Sequence, residues 1–177
     1  MTDSIKMEAL MRAMASYFGE ENKDQVSHFQ AVWLFAKTIA AEEKVDEKTK
    51  ETVEVAAVVH DISCPLCSKK YGSTDGKLQE KESYPLVVDF LKKEGFEDSL
   101  VERVATLVSR HHTYENVDGL DLQILLEADA LVNLSASDEI DVDKAIWFGA
   151  NVFQTKTGKF LLEHLIGEAE EEAKDEE

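Results

Sequence analysis

The chain is short of residues that interrupt helices: its 177 residues include two prolines and eight glycines. Ala, Leu, Val, Glu and Lys dominate instead, no stretch reads convincingly as a strand, and helix is favoured throughout. Basic residues are also scarce, 19 against 37 acidic ones, for a net charge of −18. So acidic a surface repels nucleic-acid backbones and anionic membranes, and neither is expected as a partner. A small phosphorylated ligand stays compatible if a metal supplies local positive charge. Neither a signal-like N-terminus nor an apolar run of spanning length is present, which points to the cytoplasm. Cys64 and Cys67 are then expected to be reduced. Their C-x-x-C spacing lacks the second pair of a structural zinc site and the βαβ context of a thioredoxin-like site. They are expected to be small loop residues.

The length suits one domain with a full core and no staples. Residues 1–167 are expected to form that domain. Residues 168–177, with seven acids and one lysine, read as a solvated, frayed tail. Apolar periodicity predicts helices from Ser4 (capped by Asp3 or Ser4) to Phe18, from Asp24 past Ile39, and from Asp46 to Asp61. Further helices are predicted from Glu82 or Tyr84 to Glu94, from Asp98 to His112 and from Asp121 to Ala136. Another is capped by Asp138 or Asp141 and runs through Phe153, and after a break at Thr157-Gly158 a last one begins at Phe160 and dissolves after Ile166. The segment 62–82, punctuated by Pro65, Gly72 and Gly76, reads as a long functional loop. From Lys69 to Lys81 it holds four lysines against Asp75 and Glu80, a basic patch in an acidic protein.

Four of these helices carry a metal-type ligand on an apolar face. His28 begins the stripe Val32, Phe35, Ile39, and the run Glu54-Val55-Ala56-Ala57-Val58-Val59 ends in His60-Asp61. The stripe Val101, Val104, Val108 ends in His111-His112, and Asp129 interrupts Leu122, Leu125, Leu126, Val132. A buried carboxylate or imidazole is costly unless it is paired or coordinates a metal. Such groups on four helices are expected to meet in one polar centre. Imidazoles with carboxylates suit Mn²⁺, Fe²⁺, Zn²⁺ or Co²⁺, and the aspartates would also accept Mg²⁺. His164, near the end of the chain, is assigned no site.

The ordered set His28, His60-Asp61 and Asp129, all on helices, resembles the HD-domain superfamily of metal-dependent phosphohydrolases. The segments Gly76-Lys77-Leu78-Gln79-Glu80 and Arg110-His111-His112-Thr113 are placed as in its small bacterial hydrolases. The resemblance implies an all-α domain with a divalent metal on His28, His60, Asp61 and Asp129, hydrolysing a phosphate ester of a small phosphorylated metabolite, above all a nucleotide. By spacing and charge, Lys77 and Arg110 are candidates for phosphate binding. His111 and His112 are candidates for a second metal, a phosphate contact or proton transfer. The chain departs from the family in two places. The 5′-deoxynucleotidase branch has a Glu where Cys64 stands, so Glu80 or Glu82 is the expected substitute, with Asp61, Glu80, His111 and His112 the catalytic candidates. Dinuclear branches have a further histidine that is missing between Asp61 and His111, which favours one metal. The alternatives are a non-catalytic HD module that binds a nucleotide or a protein, and an HD-type di-iron oxygenase.

Overall fold

The computed structural model describes residues 3–136 and 140–175, with side chains from 6 to 136 and from 140 to 167. Among the described residues it is all-α, with no strand. The side chains of the expected caps Asp3 and Ser4, all of Asp138, and the side chains of the acidic tail lie outside what is described. The helices are α1 (Asp3–Phe18), α2 (Lys23–Glu42), α3 (Glu47–Val59), α4 (Cys64–Tyr71), α5 (Gly76–Lys93), α6 (Asp98–Val108), α7 (Leu120–Ser135), α8 (Val142–Asn151) and α9 (Lys156–Asp175). None is long and apolar enough to cross a membrane.

Helix α7 is the centre of the molecule. Every residue from 122 to 131 is buried, as expected for a helix packed on all sides. Helices α2 and α3 lie against each other and both against α7, α6 packs on α3, α5 on α6, and α9 covers another side of α7. Ala56 and Ala57 of α3 and Ala36 and Ala40 of α2 are fully or almost fully buried, and small residues let helix axes approach closely. On α7, Leu122, Ile124, Leu125, Leu126, Leu131 and Leu134 are buried. Each stabilises the fold by about 1.5–3 kcal/mol. That apolar burial offsets the cost of the polar Gln123, Glu127 and Asp129, which the same helix carries inside.

The structure corrects the expectation of a loop over 62–82. Pro65 stands in the first turn of α4, where proline is tolerated, and Gly72 ends that helix in the left-handed conformation at φ 68°. Asp75 then caps α5 by accepting from Lys77 N at 3.0 Å. The proline and glycines therefore bound helices rather than fill a loop. Cys64 and Cys67, expected as loop residues, are buried on α4 as free thiols. Helix α6 stops at Val108, so His111 and His112 sit in the turn beyond it. Thr157 and Gly158, expected as a break, lie in the first turn of α9, where Glu43 accepts from Thr157 N and Oγ1, both at 2.8 Å. That helix continues to Asp175, in keeping with the helix propensity of its Glu, Ala and Lys.

Candidate metal centre

The sequence of α3 decides how His60 is presented. The helix ends at Val59, which leaves its last carbonyls without partners in the helix. His60 Nδ1 donates to the Ala57 carbonyl at 2.8 Å. A carbonyl only accepts, so Nδ1 carries a proton and Nε2 is the ring nitrogen turned inward, free to ligate when a metal takes the place of its proton. His111 repeats the device beyond α6, with Nδ1 donating to Val108 O at 2.7 Å.

Nε2 of His28, from the first turns of α2, lies 3.1 Å from Nε2 of His60. Asp129 Oδ1 is 3.2 Å from the first nitrogen and 3.5 Å from the second. Asp61 Oδ2 is 3.5 Å from each. Donor atoms each about 2.1 Å from a shared ion lie roughly 3.0–3.5 Å apart, and these five distances match that spacing. Asp129 Oδ1 is buried and has no hydrogen-bond donor. An orphaned carboxylate oxygen facing two imidazole nitrogens fits a shared cation. His28, His60 and Asp61 form one cluster whose ligand atoms could hold a metal, and Asp129 Oδ1 lies within 3.5 Å of both of its imidazole nitrogens.

The electrostatics agree. Burial opposes charge on His60, yet Asp61 and Asp129 outweigh it and raise His60 to about 9. Burial would likewise raise Asp61 and Asp129, but imidazoles hold both below the usual carboxylate range. His60 and His111 act on Asp61, and His28 and His60 on Asp129. The centre strongly favours positive charge.

A second cluster adjoins the first. Asp61 Oδ1 lies 3.7 Å from His111 Nε2, and Asp61, His111 and His112 together could hold an ion. Nε2 of both histidines is buried without a partner. Burial, and next the neighbouring His111, lower His112 to about 4, so it is neutral at pH 7. Its ring rests on the backbone of Gly76, where an added Cβ would come within 2.6 Å of the imidazole. Gly76→Ala should therefore displace His112, at a cost of about 1–3 kcal/mol. Urea unfolding reports that cost, and NMR of the His112 ring reports the displacement.

Glu80, a catalytic candidate from the sequence, lies beside this second cluster and is held by three donors. It accepts from His112 N at 3.1 Å, from Thr113 Oγ1 at 2.8 Å and from Lys77 Nζ at 2.9 Å. Burial works against its charge, but Lys77, Thr113 and His112 hold its carboxyl below the usual range. Lys77 is mostly exposed on the same rim, with Nζ also 2.7 Å from Thr113 Oγ1. Arg110, expected to bind phosphate, has its guanidinium engaged elsewhere: Asn116 O at 2.6 Å, Glu115 O at 3.4 Å and Asp118 at 3.3 Å. It ties down the loop that follows the histidines. Glu82 pairs with Tyr71 at 2.6 Å and Lys70 at 2.9 Å. Both oxygens of Glu80 accept hydrogen bonds, whereas Lys70 and Tyr71 both donate to Oε1 of Glu82. Cys64, at the position of the missing family carboxylate, donates to Gln79 Oε1 at 3.2 Å. Burial, and then the charge of Asp61, push its thiol well above its ordinary value.

Sequence reasoning missed Glu127, which is fully buried two residues before Asp129. Its Oε1 accepts from Gln123 Nε2 at 2.7 Å, Gln154 N at 2.6 Å and Thr155 N at 2.9 Å, while Oε2 accepts from Thr155 Oγ1. The available signal was the polar pair Gln123 and Glu127, four apart on an otherwise apolar helix.

The family model described as HD domain matches residues 25–134. A crystal structure described as a predicted HD superfamily hydrolase from an uncultured Thermotogales bacterium has the same fold. It superposes with a TM-score of 0.71 at 22% identity, over 95% of this chain and 89% of that one. No curated protein matches the chain. The family model spans more than half of the chain and takes in His28, His60, Asp61, His111, His112 and Asp129, and the chain belongs to the HD-domain family.

Proposed function

We propose that the protein is a metal-dependent phosphohydrolase acting on a small phosphorylated metabolite, above all a nucleotide. The observation that carries the proposal is the pair of buried, unpartnered Nε2 atoms of His111 and His112 beside the four-ligand cluster. They are polar capacity that the fold itself leaves unused. HD-family membership and the hydrolase description of the Thermotogales protein support it.

His28, His60, Asp61 and Asp129 would hold a divalent cation (Mn²⁺, Fe²⁺, Co²⁺, Zn²⁺ or Mg²⁺), which would supply Lewis acidity and make water a better nucleophile. His111, whose Nδ1 donates to Val108 O, turns Nε2 inward and would act there as proton acceptor from an attacking water. Neutral His112 would donate to a phosphoryl oxygen from Nε2–H, an atom without a partner in the fold. Lys77 brings positive charge to the rim, and Glu80 holds the His112–Thr113 turn in register. We favour one tightly held ion, because the first cluster has four donor atoms and the second has three, one of them on the shared Asp61.

Protein loaded with Mn²⁺ or Co²⁺ should release phosphate from members of a nucleotide panel, and chelation should abolish the release. Failure on both that panel and a generic aryl phosphate overturns the proposal. The Asp61–His111–His112 cluster favours a second reading, a dinuclear centre bridged by Asp61. Metal analysis giving two equally retained ions per chain, falling to one in His111→Ala, would establish it.

A further inference from the structure

A cavity of about 550 Å³ opens where α1, α2 and α3 meet the turn before α6, and none of the candidate metal ligands lines it. Its size falls within the range of small-molecule sites, about 300–1,000 Å³. The apolar wall is Met7 and Met11 of α1, Trp33 of α2, Val55 of α3, and Phe96. Met7 and Met11 are four apart and so share one face of their helix. Methionine is unbranched and flexible, and adapts to irregular apolar shapes.

Four lysines and four glutamates complete the lining, so a bare count of charge is balanced. Their engagements are not. Glu47 is paired with Lys50 at 2.6 Å, Glu54 accepts from Trp33 Nε1 at 2.9 Å, and Glu8 is engaged as well. Glu51 is the one lining acid without a hydrogen bond or ion pair among the described residues. Lys6, Lys37 and Lys48 form no ion pair among those residues either. Lys6 Nζ lies 4.4 Å from the centre of the Phe96 ring, and Lys37 Nζ lies 4.7 Å from that of Trp33. Uncommitted cations thus outnumber uncommitted acids here, in a chain of net charge −18.

An ammonium held only by a ring can turn to a carboxylate, a stronger partner because both groups are charged. The same two contacts restrict the body of the ligand. Phe96 belongs to the core and Trp33 packs against it. With a lysine over each ring and the core behind it, neither ring offers a bare face for stacking. The methionines and the ring edges suit an alkyl chain instead.

We propose that this cavity binds a medium-chain carboxylate, its alkyl chain against Met7, Met11 and Val55 and its head group on Lys6 and Lys37. The site is separate from the metal centre and does not depend on the phosphohydrolase reading.

Calorimetric titration of the full-length protein with decanoate, kept below its micelle concentration, should show saturable binding. Decanol, with the same chain and no charge, should bind about tenfold more weakly or less. Lys6→Gln and Lys37→Gln together should weaken decanoate by about tenfold, as for lost hydrogen bonds to a charged group. The urea midpoint of that double variant should match wild type. The chain has two tryptophans, so Trp147→Phe leaves Trp33 as its sole indole. Emission from Trp33 should change with the same saturation as the heat. Non-saturating binding, equal affinity for decanol, indifference to the two lysines, or heat without a Trp33 response each overturn the proposal. Decylammonium binding more tightly than decanoate would give the opening to the glutamates. Tighter binding of 1-naphthoate would give the cavity to a flat ring, and either result overturns the assignment.

Discussion

Asp61→Ala should abolish tight metal binding while far-ultraviolet circular dichroism stays that of a helical protein. Asp61 contributes Oδ2 to the four-atom cluster and Oδ1 to the face occupied by His111, so one substitution removes an oxygen from both. Loss of a supporting partner alone typically weakens metal binding by about 10–100-fold, and loss of a direct ligand should do at least that. Thermal unfolding with and without ion provides the measurement. Metal at 100 times its Kd stabilises the folded state by about 2.7 kcal/mol. For a domain of this size that is roughly 5–10 °C in Tm. Wild type should show the shift and Asp61→Ala should not. Helicity should persist because the apolar core of α2, α3 and α7 does not involve this side chain. Full metal content in the variant would remove Asp61 from the ligand set.

Glu127→Ala should be among the most destabilising single changes in the chain. The carboxylate is fully buried and accepts from Gln123, the Thr155 hydroxyl and the backbone nitrogens of Gln154 and Thr155. Truncation strands donors that water cannot easily reach, at about 1–3 kcal/mol for each one left unsatisfied. Partial relaxation of the stranded donors brings the expected total to about 3–5 kcal/mol. The drop should appear in urea titration as a lower midpoint with little change in slope. Glu127→Gln keeps the shape and most acceptor capacity and should cost visibly less. If alanine costs no more than glutamine, the network is not what joins α7 to the start of α9. Gly158 belongs to the same network, because a Cβ there would collide with the Glu127 carboxylate.

The all-α fold and the convergence of His28, His60-Asp61, His111-His112 and Asp129 were legible because both rest on local patterns. A polar residue at helical spacing within an apolar stripe reports where it points without knowledge of the rest of the chain. Features set by cooperation between segments were not legible. Pro65, Gly72 and Gly76 look alike in a loop and at helix ends, and burial of Cys64 and Cys67 against α5 decides between the two. Lys77 and Arg110 carry the same charge, and charge alone does not separate them. Only the structure shows one on the rim and the other consumed by the carbonyls of Glu115 and Asn116. Glu127 escaped notice because its partners Gln154 and Thr155 are nearly thirty positions away.

The hydrogen bonds from His60 Nδ1 to Ala57 O and from His111 Nδ1 to Val108 O have a consequence for how such centres arise. In each, a carbonyl near the end of a helix, which would otherwise need water or a cap, selects the tautomer of an imidazole three residues later. The ligand and its orienting group belong to one short segment and ask nothing of distant sequence. A helix that stops beside a polar cleft thus becomes a ready-made histidine donor through one substitution. The carboxylate Asp129, inside α7, has no such local support and needs three neighbouring helices already in place. Imidazoles of this kind can be gained or lost singly as a lineage changes its chemistry, whereas the buried aspartate is tied to the architecture as a whole.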